Sequence, residues 1–394
     1  MEIRLISPED GQTAMDIGCQ AFQHGARRTY TPHPKEQDPS IYGTTHTDTF
    51  GVYDEDGMQA MVRVHHYKAH LANQEPVAMG GIAGVSCLPA KRGRNYIGTC
   101  LKYVLERMKE NGQTHSSLYP FAQQFYRNYG WQWIGEKRTY IVPSSILQPD
   151  PHTEQVRAAR PADREAIIAC YTQYAQKYRG MLARNTKDWD TLLNPTESHH
   201  TYIYVYAPNN TIEGYIMYNG GGSTTHLREF ICQNITAQKA LLGLLRRMNM
   251  QIDTYRWNAP ANDMLWWALQ HNETKTEANP LIMWRLVDIA GAFARWRAEE
   301  TINGTAVLRV HDSEAPWNNG IWRLEAEKGI LSLEPARAEP DIELDIQALT
   351  QAFMGSPGAV AVRSAENIRV HSETAFAFFT SALNGPPAYI SDSF

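Results

Sequence analysis

The chain predicts an α/β fold through about residue 284, followed by an α+β region. Three observations carry this. A strand, a basic loop, an amphipathic helix and a second strand follow one another between Met79 and Pro120. The same strand, helix, strand order returns between His226 and Trp257. From Arg285 onward the alternation is lost, and short strands and apolar helices are mixed. At 394 residues the chain is too long for one hydrophobic core. It divides into units 1–150, 151–284 and 285–394.

The first strand is Met79 to Leu88, and its Gly80, Gly81 and Gly84 are poor strand formers. Glycines there mark a bulge or a close approach of backbone. The loop Pro89 to Asn95 follows. Behind it Ile97, Cys100, Leu101, Val104, Leu105 and Met108 recur at three- and four-residue spacing, which makes one buried helix face. Lys91, Arg92 and Arg94 therefore sit at a helix N-terminus, where unpaired N–H groups and the helix dipole attract anions. Without the helix behind it, the same loop would read as a solvated basic turn.

A strand over Ser116 to Pro120 leads into a predicted helix from Phe121. Phe121, Phe125 and Tyr129 fall on one stripe, Ala122 and Tyr126 lie beside it, and Gly130 is placed to end the helix. Taken alone, Tyr126 reads better as a core tyrosine. Prolines and serines between Val142 and His152 suit an exposed linker. Thr201 to Ala207 and Glu213 to Tyr218 form a hairpin across Pro208 to Thr211, and the repeat then runs from His226 through a helix over Thr236 to Met248. Its link, Gln233 to Thr236, has neither glycine nor arginine, so one anion site is expected, in the first copy.

The Arg92 to Ile97 loop resembles the acetyl-CoA loop of the GCN5-related N-acetyltransferases, in which Arg/Gln-x-x-Gly-x-Gly/Ala caps a helix against pyrophosphate. Asn95 stands at the glycine and Ile97 at the last small position. Asparagine tolerates left-handed backbone, so the turn is expected to survive. Ala122, Tyr126 and Gly130-Trp131 resemble that superfamily's A-x-x-x-Y-x-x-x-G-[FW] helix, whose tyrosine protonates the departing thiolate. The resemblance implies acetyl-CoA as acetyl donor, held by Val85, Ser86 and Cys87, by Arg92, Gly93, Arg94, Asn95, Tyr96, Ile97 and Gly98, and by Phe121 and Ala122. It also implies an oxyanion held by the Val85 N–H.

Tyr119-Pro-Phe, Phe125 to Trp131, Met283 to Asp288 and the closing Phe394 are similar to the Eis family of bacterial acetyltransferases along the whole chain. That resemblance implies a catalytic acetyltransferase domain over 1–150, a degenerate copy over 151–284 and a sterol-carrier-like domain over 285–394. It further implies acetylation of primary amines on a cationic, aminoglycoside-like molecule, with the Phe394 carboxylate as base, and a homo-oligomer, trimer or hexamer. The acceptor pocket is expected from residues 15–45 plus the chain end. A lipid carrier and a non-catalytic acetyl-CoA-binding regulator are the alternatives.

Composition adds exclusions. A net charge of −5 argues against a general nucleic-acid or anionic-membrane surface. Five scattered cysteines without a C-x-x-C pair, and an N-terminus without a signal-peptide pattern, suit the cytoplasm. No metal site is expected: His65-His66 and His199-His200 are adjacent pairs whose side chains diverge on a strand.

Overall fold

A computed structural model describes residues 1–23, 47–193, 201–220, 222–263, 265–269, 271 and 273–394. Most of the 15–45 segment expected to shape an acceptor pocket, and His199-His200, lie outside the described residues.

The first unit runs β1 (Glu2–Leu5), α1 (Gly11–Ala21), β2 (Thr47–Asp54), β3 (Gly57–Leu71), β4 (Val77–Cys87), α2 (Tyr96–Glu110), β5 (His115–Leu118), α3 (Gln123–Arg127) and β6 (Gln132–Pro143). The second runs β7 (Val156–Ala158), α4 (Arg164–Ala175), β8 (Arg179–Leu182), α5 (Thr186–Leu193), β9 (Thr201–Tyr206), β10 (Gly214–Asn219), β11 (Thr224–Cys232), α6 (Ile235–Arg247), β12 (Thr254–Pro260), α7 (Leu265–Leu269) and β13 (Lys275–Leu286), a strand that carries the second unit past residue 284 through Arg285 and Leu286. The third holds α8 (Ile289–Arg295), β14 (Gly304–His311), β15 (Gly320–Glu327), β16 (Ile330–Pro335), β17 (Ile342–Asp345), α9 (Ile346–Met354), α10 (Ala359–Ser364), β18 (Ile368–Val370) and α11 (Glu373–Ala382).

The first two units share one 13-stranded sheet, because β13 inserts between β5 and β6. Met283 pairs with Leu118 on one side and with Trp133 on the other. Residues Leu281 to Leu286 are all buried, as a strand covered on both faces demands. On its other edge β6 pairs with β12, so the sheet is continuous.

Helical spacing is realised as read: Cys100, Leu101, Val104, Leu105 and Met108 of α2 are buried. The internal echo is real, since β11 and β12 pair in parallel across α6 as β4 and β5 do across α2. Two expectations hold only in part. The linker is exposed at Ser145, Gln148, Pro149, Pro151 and His152, but Ile146 and Leu147 are buried, and just beyond it the Thr153 hydroxyl donates to the Ala240 carbonyl at 3.1 Å. The Phe121 helix shrinks to Gln123–Arg127, because Ala122 is extended at φ −144° and leaves Phe121 outside it. In the third unit a five-stranded sheet packs on Phe376 and Phe379. Among the described residues no helix is long and apolar enough to cross a membrane.

Candidate active site

Strands β4 and β5 pair from Met79 with His115 to Ile82 with Leu118, where β5 ends. Strand β4 continues to Cys87 without it. On its other side, Met61 pairs with Ser86 and Arg63 with Ala83, so Gly84 and Val85 together face Val62. This is a β-bulge, and Gly84 carries the left-handed φ of +55° that such a bend requires. Bent away from β5, this end of β4 borders a cleft of about 630 Å³ lined by Val85 and Cys87. An extended chain with amide groups fits such a free strand edge.

The basic loop closes one end of the cleft through Arg92, Gly93 and Asn95. Asn95 adopts φ +59°, ψ 22°, as expected for the residue replacing glycine, and precedes α2 without capping it through its side chain. That leaves the first N–H groups of a 15-residue helix for an anion. In the second copy the corresponding end is closed: Asn234 accepts from the Ala237 N–H at 2.9 Å. The Asn95 side chain instead accepts from the Tyr129 hydroxyl at 3.2 Å, tying the loop to the segment after α3. Gly98 makes this possible, because a Cβ there would overlap both Tyr129 and Asn95.

The three basic side chains separate. Lys91 and Arg92 line the cleft and Arg94 lies outside the lining, while the Lys91 ammonium pairs with Asp54 at 3.0 Å and Asp56 at 2.6 Å. The Tyr96 hydroxyl donates to Asp54 at 2.7 Å. With Lys91, that bond holds the Asp54 carboxyl down at about 2. This brace came from residues some forty positions upstream, and no spacing rule marks it. Tyr96, Ile97, Gly98 and Phe121 line the cleft, joined by Ala21 and Phe22 of the first helical segment. Ser86 and Ala122 do not line it: the buried Ser86 hydroxyl donates to the Gly84 carbonyl at 3.0 Å, inside the bulge.

Tyr126 is buried in the same core cluster as Ile82 and Leu118, the last paired residues of β4 and β5. Phe121 and Phe125, which line the cleft, meet its ring edge-on at centroid distances of 5.4 and 5.2 Å. Burial pushes its phenol well up, so it keeps its proton at neutral pH. Burial likewise raises the Cys87 thiol, against the opposing pull of Arg92.

Phe394 packs on β4 from the opposite face to α2. Its ring lies 5.0 Å from Tyr67 and 5.6 Å from Tyr119, and a Cβ on Gly81 would come within 2.9 Å of it. The preceding residues are anchored. Tyr119 donates to the Asp392 carbonyl at 2.6 Å, and Arg184, itself paired with the buried Glu229, donates to the Asp392 carboxylate at 2.9 Å. Neither Arg184 nor Glu229 belongs to a local motif; both come from the second unit.

An acetyltransferase (GNAT) domain model matches residues 2–134, a second one residues 180–286, and a sterol carrier protein domain model residues 289–391. An uncharacterized N-acetyltransferase of Streptomyces coelicolor is 22% identical over 365 residues, covering 86% of this chain and 87% of that protein. Two crystal structures share the fold over their entire length and this chain's: a GCN5-related N-acetyltransferase from Anabaena variabilis (TM-score 0.85, 20% identity) and Eis1 from Mycobacterium abscessus (TM-score 0.80, 18% identity).

Proposed function

The chain is an N-acetyltransferase of the GNAT family that draws its acetyl group from acetyl-CoA, and from this we propose that it transfers acetyl directly to a primary amine at the parting of β4 and β5. The observation that carries the reading is the bulge at Gly84 and Val85, which turns a free strand edge into a cleft ending at an uncapped helix N-terminus. When bound there, acetyl-CoA supplies the thioester carbonyl and a thiolate leaving group.

The residues of the chain divide the remaining work. Val85 to Cys87 offer backbone to the pantetheine amides, and Arg92 with the α2 N-terminus holds the pyrophosphate. The Val85 N–H stabilises the developing oxyanion, a contribution of about 3–4 kcal/mol where such donors have been removed. Tyr126 gives its proton to the thiolate. The Phe394 carboxylate takes the amine proton, positioned by Tyr119 and Arg184 through Asp392. Cys87 is unsuited to a covalent route, because its thiol is held protonated. The aminoglycoside acceptor expected from the Eis resemblance rests on that resemblance alone. The same resemblance supports a homo-oligomer, trimer or hexamer, to be measured by light scattering against the 44.7 kDa chain mass, and the scattered cysteines support a place in the cytoplasm.

The test is thiol release from acetyl-CoA in the presence of a panel of primary amines. Release that requires an amine, with acetylation of that amine seen by mass spectrometry, is expected. Tight acetyl-CoA binding by calorimetry with no release from any amine would sink the catalytic reading.

A further inference from the structure

A second cavity, of about 520 Å³, opens where β6, β11, β12 and the chain end meet. Its floor is one face of the sheet. Lys137 and Thr139 of β6 stand opposite Pro260 and Asn258 of β12, and Arg256 of β12 stands beside His226 of β11. Alternation sends Tyr140, Val142, Tyr255 and Trp257 to the other side, into the core under α6. Tyr119, which follows the last residue of β5, lines this cavity, and its ring is 5.6 Å from Phe394, which packs on β4.

The charge of this lining does not suit a polycation. Among the described residues Lys137, Arg184, Arg228 and Arg256 face two carboxylates, Glu229 and Asp392. Both carboxylates are already taken by Arg184, and Glu229 also accepts from Tyr215 at 2.6 Å. Arg256 has one half-exposed partner, Glu277, at 3.2 Å. Lys137 and Arg228 have no carboxylate within ion-pair distance among the described residues. Two buried groups of the lining also lack hydrogen-bond partners among the described residues: Nη1 of Arg184, whose side chain is 2% exposed, and Oγ of Ser391. Such groups are costly unless something satisfies them.

We propose that this cavity holds the acceptor, and that the acceptor is an amine carrying an oxyanion, carboxylate or phosphate, which Lys137, Arg256 and Arg228 bind while its amino group points past Tyr119 to β4. The inference rests on the acetyltransferase reading and specifies its substrate class. In the reaction the amine nitrogen bonds the acetyl carbon as the carbon–sulfur bond breaks; one proton leaves the nitrogen for the Phe394 carboxylate, and Tyr126 supplies one to the sulfur.

The test compares 6-aminohexanoate, 3-aminopropyl phosphate, hexylamine and spermidine as acceptors for the full chain. The acidic amines are expected to exceed the other two by about tenfold or more in kcat/KM, the ratio between them separating carboxylate from phosphate. In Lys137→Glu/Arg256→Glu that advantage falls by at least about tenfold, with spermidine gaining and acetyl-CoA binding unchanged. The milder Lys137→Gln/Arg256→Gln pair, which keeps size and polarity, is expected to lower the advantage in the same direction if the charge reversal unfolds the chain. Preference of the native chain for spermidine, or an order of preference untouched by the glutamine pair, overturns the proposal. Should no amine release thiol, the acetyltransferase reading is what fails. Calorimetry with 3-aminopropyl phosphate then decides the cavity: binding that the glutamine pair abolishes supports it, and no binding to the native chain overturns it.

Discussion

Replacing Tyr126 with phenylalanine removes one oxygen from a ring that Phe121 and Phe125 otherwise hold in place. Turnover should therefore fall by about 10²–10⁴ while acetyl-CoA affinity, read by calorimetry, stays nearly constant. His115 offers a contrasting case. It is fully buried between Trp284 and Phe353, with neither ring nitrogen partnered among the described residues, and burial pushes it down to about 3. Below the ordinary histidine value of about 6.5 the unfolded chain takes up a proton that the folded chain refuses. Stability is thus fully present above about 6.5 and is lost as pH falls toward the folded value, by up to about 1.4 kcal/mol per pH unit. His115→Leu should flatten the acid limb of a Tm–pH curve; an unchanged limb would assign the acid sensitivity elsewhere. For the cofactor loop, Arg92→Ala should weaken acetyl-CoA binding by roughly 1.5–3 kcal/mol, the usual worth of a charge-assisted bond. Arg94→Ala should change it far less, since Arg94 lies outside the cleft lining.

The join between the loop and α2 works as a unit of three residues. Asn95 occupies a left-handed position that glycine would fill without strain, and the compensating gain is its bond from Tyr129. Gly98 leaves the space in which those two side chains meet. Gly98→Ala should consequently displace Tyr129 and Asn95 and cost about 1–3 kcal/mol, as overpacking usually does. It should weaken acetyl-CoA binding as well. Adding Tyr129→Phe removes the hydroxyl that the new methyl group strikes, so part of the loss should return. A double-mutant cycle on Tm and cofactor affinity measures this, and strict additivity would show that the two residues do not compete for that space.

Strand β13 makes the assembly indivisible. It arrives from the end of the second unit, yet it fills the gap between β5 and β6 of the first. Its Arg285 is fully buried, donates to the Tyr129 carbonyl at 2.6 Å, and pairs with Asp312 of the third unit at 2.7 Å. One side chain therefore connects all three units. Arg285→Met would strand a buried Asp312 carboxylate, a loss of about 3–5 kcal/mol, readable as a lower denaturant midpoint. Residues 1–150 expressed alone should fail to unfold cooperatively, because β5 and β6 would each expose an edge that β13 normally covers. A sharp two-state transition for that fragment would show that the first unit holds its own sheet.

Much of this protein could be read from its residues in order. The α2 face, the hairpin of β9 and β10, the repeated strand, helix, strand unit and the left-handed Asn95 all depend on neighbours within a few positions, and local periodicity and backbone sterics decide them. The helix at Phe121 was overextended for the same reason: its spacing is helical, but Ala122 is held extended and the packing of Phe121 on Tyr126 takes precedence over the stripe. The buried part of the linker was missed because prolines and serines describe solubility, while Ile146 and Leu147 are buried by the core they share with α6. Nothing local announces that β13 crosses into another unit, or that Lys137, Arg184, Arg228 and Arg256 converge on one cavity beside Phe394. Sequence decides what each segment of backbone prefers to be, whereas the charge of a pocket is a sum over side chains far apart in the chain, and only the closed sheet brings them within reach of one ligand.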